Sequence, residues 1–462
     1  MFINNKLSRL YQQRIQKRTK NVDSYEFFNL LTRPELLKTV EELLPEHRER
    51  HYPPMETLSM FLAQALSEDG SCQKVVNDTA IQRMSAGLPS VSTATGAYCR
   101  ARQRLPQAIV SSLVHRTAEL INLQIPSQWR WQGRRVHLID GTTVTMPDTA
   151  NNQAVYPQQN CQKLGLGFPI CRLVGIICLA SGAILNASIG PYNGKGADEQ
   201  TLLRKMLSNF EKGDLILGDA LFGTYFLLAS LQAKGIDAVF EQMGARKRVT
   251  DFRKGKRLGS QDHLVKLSKP KKKPHWMDQE DYENAPDTLM IRELKINNKV
   301  LITTLLSPKK ASKLELKSLY KKRWQIEVDF RNIKTTMGME RLSCKTPEMN
   351  EKEIWVYFLA YNLIRLLMAQ AALLADILPR QLSFKHTLQL WLVWSQQSHV
   401  IDEDQSKKVF FMLIAQRRIG NRTGRIEPRA VKRRPKSFPL LMKPRKEARE
   451  DVRKNGHPKK IK

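Results

Sequence analysis

Apolar and polar positions follow two rhythms along this chain. Up to about residue 130 they repeat at helical spacing. "SYEFFNLLTRPELLKTVEELL" (24–44) is amphipathic, and "PPMETLSMFLAQAL" (53–66) opens with proline, which suits a first helical turn. "GLPSVSTATGAYCRARQRLPQAIVSSLVHRTAELI" (87–121) predicts a Ser/Thr-rich turn, a basic helix and an apolar helix. From Arg134 the rhythm changes to alternation. "RRVHLID" (134–140) reads as a strand ending at Asp140, and "CRLVGIICLA" (171–180) and "AILNASIG" (183–190) as two more, joined by a Ser181-Gly182 turn. "GADEQTLLRKMLSNFEKG" (196–213) predicts a helix closed by Gly213. "DLILGD" (214–219) is a short apolar strand ending at Asp219, followed by a helix over 222–235 and a strand over 236–242. The order is therefore three strands, helix, strand, helix, strand.

Residues 243–306 break this order. They are basic, rich in Gly and Pro at first, and strand-like at "TLMIRELKI" (288–296) and "KVLITTLL" (299–306), which reads as a β-rich insertion. Helical periodicity resumes in "YKKRWQIEVDFRNIKTTMGME" (320–340). At about 100° per residue, Ile326, Phe330, Ile333 and Met337 form one apolar stripe. Tyr320, Arg323, Glu327 and Lys334 form a second stripe, within about 60° of one another. An exposed face of i,i+4 ion pairs would give the same pattern. "YFLAYNLIRLLMAQAALLADILP" (357–379) predicts a core helix.

Charge narrows the function. The 462 residues carry a formal net charge of +32. An excess of that size points to a polyanionic partner, with nucleic acid ahead of an anionic membrane surface. Residues 417–462 contribute 18 Lys/Arg against 4 Asp/Glu, a solvated, flexible tail suited to sequence-independent DNA affinity. Arg100, Arg102 and Arg104 on the helix after the Ser/Thr-rich turn suit a helix-turn-helix-like DNA reader. No run of 18 or more apolar residues suggests a bilayer span, and the basic N-terminus lacks the apolar core of a secretory signal. The six cysteines form no Cys-x-x-Cys pair, consistent with a reducing cytoplasm and no structural zinc.

Three acids stand out by position: Asp140 and Asp219 at strand ends, and Glu327 on the helix after the insertion. Neighbouring strands and a helix packed beside them can bring such acids together. Converging carboxylates repel one another and invite hard divalent cations. Two such cations about 4 Å apart serve phosphoryl transfer, and nearby cations would hold the phosphates. Asp-Gly at a strand end is also a common turn, so each acid alone is a weak signal.

Tyr320-x2-Arg323-x3-Glu327-x6-Lys334 resembles the Y-R-E-K signature of one insertion-sequence family of DDE transposases, the IS-four family. "LIDGTTVTMPDT" (138–149) and "LILGDALFGTY" (215–225) are similar to its two Asp blocks, and "QKLGLGFPICRLVGII", "SVSTATGAYCRARQRLP" and "IGNRTGRIEPRAVKRRPK" also resemble it. Ala220 and Leu221 depart from the residues relatives carry after the second Asp. The resemblance implies an α/β, RNase H-like mixed-sheet core interrupted by the insertion, with an N-terminal helical DNA-binding domain. The division would be 1–130 (DNA-binding), 131–242 and 307–375 (core), 243–306 (insertion) and 376–462 (helical region and basic tail).

The resemblance further implies that Asp140, Asp219 and Glu327 bind two Mg²⁺ ions, which Mn²⁺ can replace. Water activated by metal would cut the strand at each element end, and the freed 3′-hydroxyl would attack target DNA. Arg323 and Tyr320 would hold a phosphate near the end, Lys334 another backbone contact, and Trp324 an unstacked base. Trp276 in the insertion is a weaker candidate for that last role. The implied setting is a homodimer on double-stranded DNA in a bacterial cytoplasm, with no membrane and no nucleotide cofactor. "GPYNGKGA" (190–197) indeed lacks phosphate-loop spacing. A catalytically inactive DNA-binding regulator and a structure-selective nuclease on the same fold remain the rivals.

Overall fold

The computed structural model describes residue 43 and residues 52–85, 87, 91–194, 196–242, 250–394, 403–419 and 441–457. The helix expected over 24–44 therefore lies outside the described residues except for Leu43. Among the described residues nine strands are formed: β1 (Val136–Thr145), β2 (Ile170–Cys178), β3 (Ile184–Pro191), β4 (Leu215–Leu217), β5 (Asp237–Glu241), β6 (Lys256–Gly259), β7 (Asp262–Ser268), β8 (Thr288–Ile296) and β9 (Lys299–Thr303). They build one sheet in the order β3-β2-β1-β4-β5-β9-β8-β7-β6. β1, β2 and β3 pair antiparallel, and β4 and β5 join β1 in parallel, which is the RNase H-like arrangement. The insertion strands do not make a separate sheet. β9 pairs antiparallel with β5 and carries β8, β7 and β6 outward from it.

Helices cover both faces. α1 (Pro54–Leu66), α2 (Cys72–Ser85), α3 (Gly96–Arg104) and α4 (Gln107–Gln124) precede the sheet. α5 (Ala150–Val155), α6 (Glu199–Arg204), α7 (Tyr225–Ala233) and α8 (Gln279–Asn284) lie between strands, and α9 (Lys313–Lys321) and α10 (Gln325–Arg331) follow them. α11 (Pro347–Ala375), α12 (Phe384–Trp394), α13 (Glu403–Gln416) and α14 (Arg445–Asn455) come later among the described residues. Leu138, Val144, Leu173 and Leu217 face one core, shared with Ile326, Phe330 and α11. Ile139, Val174, Ile176 and Ile216 face the other, shared with α6 and α7. The alternation along β1 is thus a division between two apolar layers.

α11 is long and apolar enough to cross a membrane by length and composition, yet 89% of its most apolar window is buried within the fold. It packs against α1, α4, α12 and α13, and Tyr361 and Arg365 on it bond Asp329 of α10, as its all-round apolar pattern allows. Lys352 on α11 donates to the carbonyls of Arg102 (2.8 Å) and Gln103 (3.0 Å), tying the end of α3 to it.

Four expectations change. The 196–213 helix is only α6 and a single 3₁₀ turn, Leu207–Asn209. The 320–340 helix is interrupted by a 3₁₀ turn at Lys322–Trp324 and a π turn at Asn332–Thr336. The tail is not wholly irregular, because 445–455 form α14, an exposed basic helix, while 420–440 lie outside the described residues. Arg102 does not face DNA. It is buried, stacked on Phe61 (4.8 Å) and Tyr98 (5.1 Å) and bonded to Gln64, while Arg100 and Arg104 are exposed.

Candidate active site

The site begins with the register of two parallel strands. Leu138 of β1 pairs with Leu217 of β4. Asp140 and Asp219 each follow two residues later, so they come to one level along the sheet. Neither acid ends its strand, as the sequence suggested. Asp140 lies in mid-strand, opposite Gly175, because β1 continues through the β-branched run to Thr145. Asp219 lies beyond β4 and caps the 3₁₀ turn Ala220–Phe222, accepting from the Leu221 N–H (2.9 Å). β4 stops where β1 continues, which leaves a notch beside Asp140 and Gly141.

α10 closes one face of the notch. Its approach depends on Gly175, where a Cβ would come 3.0 Å from the Phe330 ring. Phe330 seated there brings Glu327, one turn earlier, to the level of Asp140. The apolar stripe is buried as expected: Ile326, Phe330, Ile333 and Met337 all lie in the core. Arg323 stands between the acids. One guanidinium nitrogen is 3.3 Å from Asp140 Oδ2 and the other 3.0 Å from Glu327 Oε1. Its side chain is only 18% exposed, so this is not the solvated i,i+4 pair that spacing alone allows.

Lys334 sits in the π turn, and its Nζ donates to Thr142 Oγ1 at 3.3 Å. After that turn the chain joins β1 again, where Leu342 N–H donates to the Thr145 carbonyl (2.9 Å). Asp140, Gly141, Thr142, Glu327, Arg331, Lys334 and Glu340 line an open cleft of about 300 Å³. Tyr320 is half-buried, and burial pushes its phenol upward against the lowering influence of Arg323. Trp324, beside Arg323, is 56% exposed and faces no partner ring among the described residues.

Burial pushes the Asp140 carboxyl up to about 6. The Gly141 N–H and Arg323 pull it back, and the charges of Asp219 and Glu327 raise it further. Among the described residues, no three His, Cys, Asp or Glu side chains already surround one ion. Arg323 supplies the positive charge in that space. The donor set is nevertheless all carboxylate oxygen, the chemistry of hard divalent cations, and Asp140 is a half-buried acid whose carboxyl burial raises despite its pairing with Arg323.

The family described as "Transposase DDE domain" matches residues 131–363. The chain belongs to the DDE transposases. It is 27% identical over 407 residues to the transposase InsG for insertion sequence element IS4 of Escherichia coli (strain K12), covering 86% of this chain and 89% of that one. It is also 32% identical over 143 residues to the putative transposase InsZ of the same organism, covering 31% of this chain and 47% of that one. A cryo-EM structure of the piggyBac transposase synaptic complex with hairpin DNA matches at a TM-score of 0.41 and 10% identity, over 85% of this chain and 80% of that one. The protein is thus a DNA transposase.

Two features of this transposase were hidden in its sequence. Glu199, at the start of α6, packs on Gly141 from the other face of the sheet. Burial raises its carboxyl, and the charges of Asp140 and Asp219 raise it further. Asp329, two residues after Glu327, is fully buried between Arg365 and Arg380. Trp276 is 38% exposed, with Arg204 3.7 Å from its ring centre and Phe226 in an edge-to-face contact with it.

Proposed function

We propose that the transposase cuts DNA at the ends of its element by divalent-metal-dependent hydrolysis and joins the freed 3′ ends to target DNA by transesterification. The observation that carries this reading is the register of β1 and β4, which brings Asp140 on β1 and Asp219 just past β4 to a common level, with Glu327 linked to Asp140 through Arg323. Asp140, Asp219 and Glu327 would hold Mg²⁺, or Mn²⁺ in its place. The bound cations would supply Lewis-acid activation of water and neutralise charge on the scissile phosphate.

The protein's own groups position the DNA. Arg323 holds the acids together and is placed to turn its guanidinium to a phosphate when DNA arrives. Tyr320 flanks it, Lys334 reaches the same cleft, and Trp324 offers an exposed ring to an unstacked base. The reading retains a helical DNA-binding domain over 1–130, a core over 131–242 and 307–375, an insertion over 243–306 and a helical region with basic tail over 376–462. Double-stranded DNA is the partner, held by a homodimer.

The direct test incubates the protein with Mg²⁺ and labelled DNA carrying the element's inverted repeats. Strand transfer products support the reading. Cutting without joining would make the protein a nuclease, and a mobility shift without cutting a binding regulator.

Arg323→Ala is expected to slow single-turnover cleavage at saturating protein by about a hundredfold, with a modest loss of end binding. Arg323→Lys should recover only part of the rate, because an ammonium lacks the planar two-point grip. An unchanged rate would reduce Arg323 to a structural ion pair. Deleting residues from 430 onward removes 13 Lys/Arg against 3 Asp/Glu. It should weaken DNA binding and flatten its salt dependence with little change in sequence preference. Equal slopes for full and truncated proteins in a salt titration would refute that role.

A further inference from the structure

Glu199 has no structural task that accounts for its position. The start of α6 is capped by its neighbour, Asp198, which accepts from the Thr201 N–H (2.9 Å) and hydroxyl (2.6 Å). The next residue, Gln200, ties α6 to the turn after Asp219. Its amide donates to the Leu221 carbonyl (2.6 Å) and accepts from Thr224 (3.1 Å). Glu199 is thereby held between the strand carrying Asp140 and the turn carrying Asp219. Its carboxylate lies against Gly141. A Cβ there would overlap it, and even the farther oxygen would be 2.6 Å away.

Among the described residues the Glu199 carboxylate has no hydrogen-bond or ion-pair partner. Arg172, the cation whose charge it feels, donates to the Ala197 carbonyl (2.8 Å) and stacks on Tyr192 (4.8 Å). An unpaired acid beside two others is unfavourable unless all share a cation. Glycine at 141 admits it to the notch from the face opposite α10.

We propose that Glu199 is a fourth carboxylate of the site, joining Asp140 and Asp219 in holding a divalent cation. This rests on the metal-dependent reading above. The four acids would then come from four separate elements, with α6 and α10 closing the notch from opposite faces. Glu199→Gln keeps the shape of the side chain and removes only the charge, and Glu199→Asp keeps the charge and retracts it by one methylene.

Mn²⁺ alone is titrated into metal-free full-length protein and followed by calorimetry, with melting temperatures recorded without and with Mn²⁺. Glu199→Gln should weaken Mn²⁺ binding about tenfold, Glu199→Asp less, and Asp140→Asn at least as much as Glu199→Gln. Without metal, Glu199→Gln should melt no lower than wild type, since a repelled charge is gone, while its Mn²⁺-induced rise shrinks. Glu280→Gln, at an exposed acid on the insertion, should match wild type. Wild-type Mn²⁺ affinity in Glu199→Gln together with weakened Asp140→Asn would overturn this proposal and leave the parent reading standing. Equal Mn²⁺ affinity for wild type and Asp140→Asn would overturn both. A lower metal-free melting temperature in both Glu199 variants, with Mn²⁺ affinity unchanged, would make Glu199 structural and also overturn it.

Discussion

Asp140→Asn, Asp219→Asn and Glu327→Gln are each expected to lower DNA cleavage about a thousandfold or more while the protein stays folded. Each removes one charge from a set that works only as a unit. Asp140→Asn has a second, opposite effect on stability. Burial pushes its carboxyl up to about 6 in the folded protein, from an ordinary value of 3.8. Below pH 3.8 the proton is present in folded and unfolded chains alike. As pH rises from 3.8 to about 6 the unfolded chain gives up the proton while the folded one keeps it, so stability falls until the folded carboxyl has ionised too. At pH 7 the ionised acid costs the metal-free fold up to about 3 kcal/mol. Asp140→Asn should therefore melt higher than wild type at pH 7 in chelator, with the difference vanishing towards pH 4.

The same titration governs activity. At limiting Mg²⁺, cleavage should fall as pH drops through about 6, and saturating Mg²⁺ should move that limb lower, because a bound cation favours the carboxylate. Single-turnover cleavage and thermal melts across pH check both halves. A correctly folded Asp140, Asp219 or Glu327 variant cutting at the wild-type rate would remove that acid from the site.

Asp329→Ala should cost about 3–5 kcal/mol of folding stability. Asp329 is fully buried on α10 and accepts hydrogen bonds from Arg365, from the Tyr361 hydroxyl (3.1 Å) and from both Arg380 terminal nitrogens (2.9 and 3.2 Å). Its loss leaves two guanidinium groups without their shared counter-charge. Because Glu327 lies two residues earlier on the same helix, cleavage should fall as well. Glu348→Ala, at an exposed acid on α11, should change stability by less than about 0.5 kcal/mol. Urea unfolding compares the two, and similar midpoints would show that the ionic knot does not hold α10 in place.

Much of the fold could be read in advance. β8 spans the residues its alternation marked, and the helix bearing Glu327 buries the stripe that its spacing set. Both follow from local periodicity, which a strand or helix obeys wherever it packs. Interruptions were less legible. Asp140-Gly141 looks like a turn, but Gly141 continues β1, and what glycine provides there is room for Glu199. The π turn at Asn332–Thr336 leaves no mark in residue spacing, yet it carries Lys334 and sends the chain back to Thr145.

Asp329 shows the limit most clearly. It stands three residues after Ile326 and four before Ile333, on the buried side of the helix. A buried acid needs cations, and these come from Arg365 on α11 and Arg380 beyond it. No local pattern names partners that far along the chain. Glu199 is the same case from the other face of the sheet, where only the packing of α6 onto β2 and β3 brings it to Gly141.

By itself the sequence determined the class of the protein. The excess of positive charge, the two Asp blocks and the spacing of Tyr320, Arg323, Glu327 and Lys334 are properties of composition and order, and they survive without coordinates. Only the tertiary structure decided which charges meet. Arg323 reaches two acids at once, Arg102 turns inward onto Phe61 and Tyr98, and Arg204 takes the face of Trp276. Electrostatic and stacking partners are set by distance in space, over a few ångströms, whereas periodicity records only which side of an element faces the core.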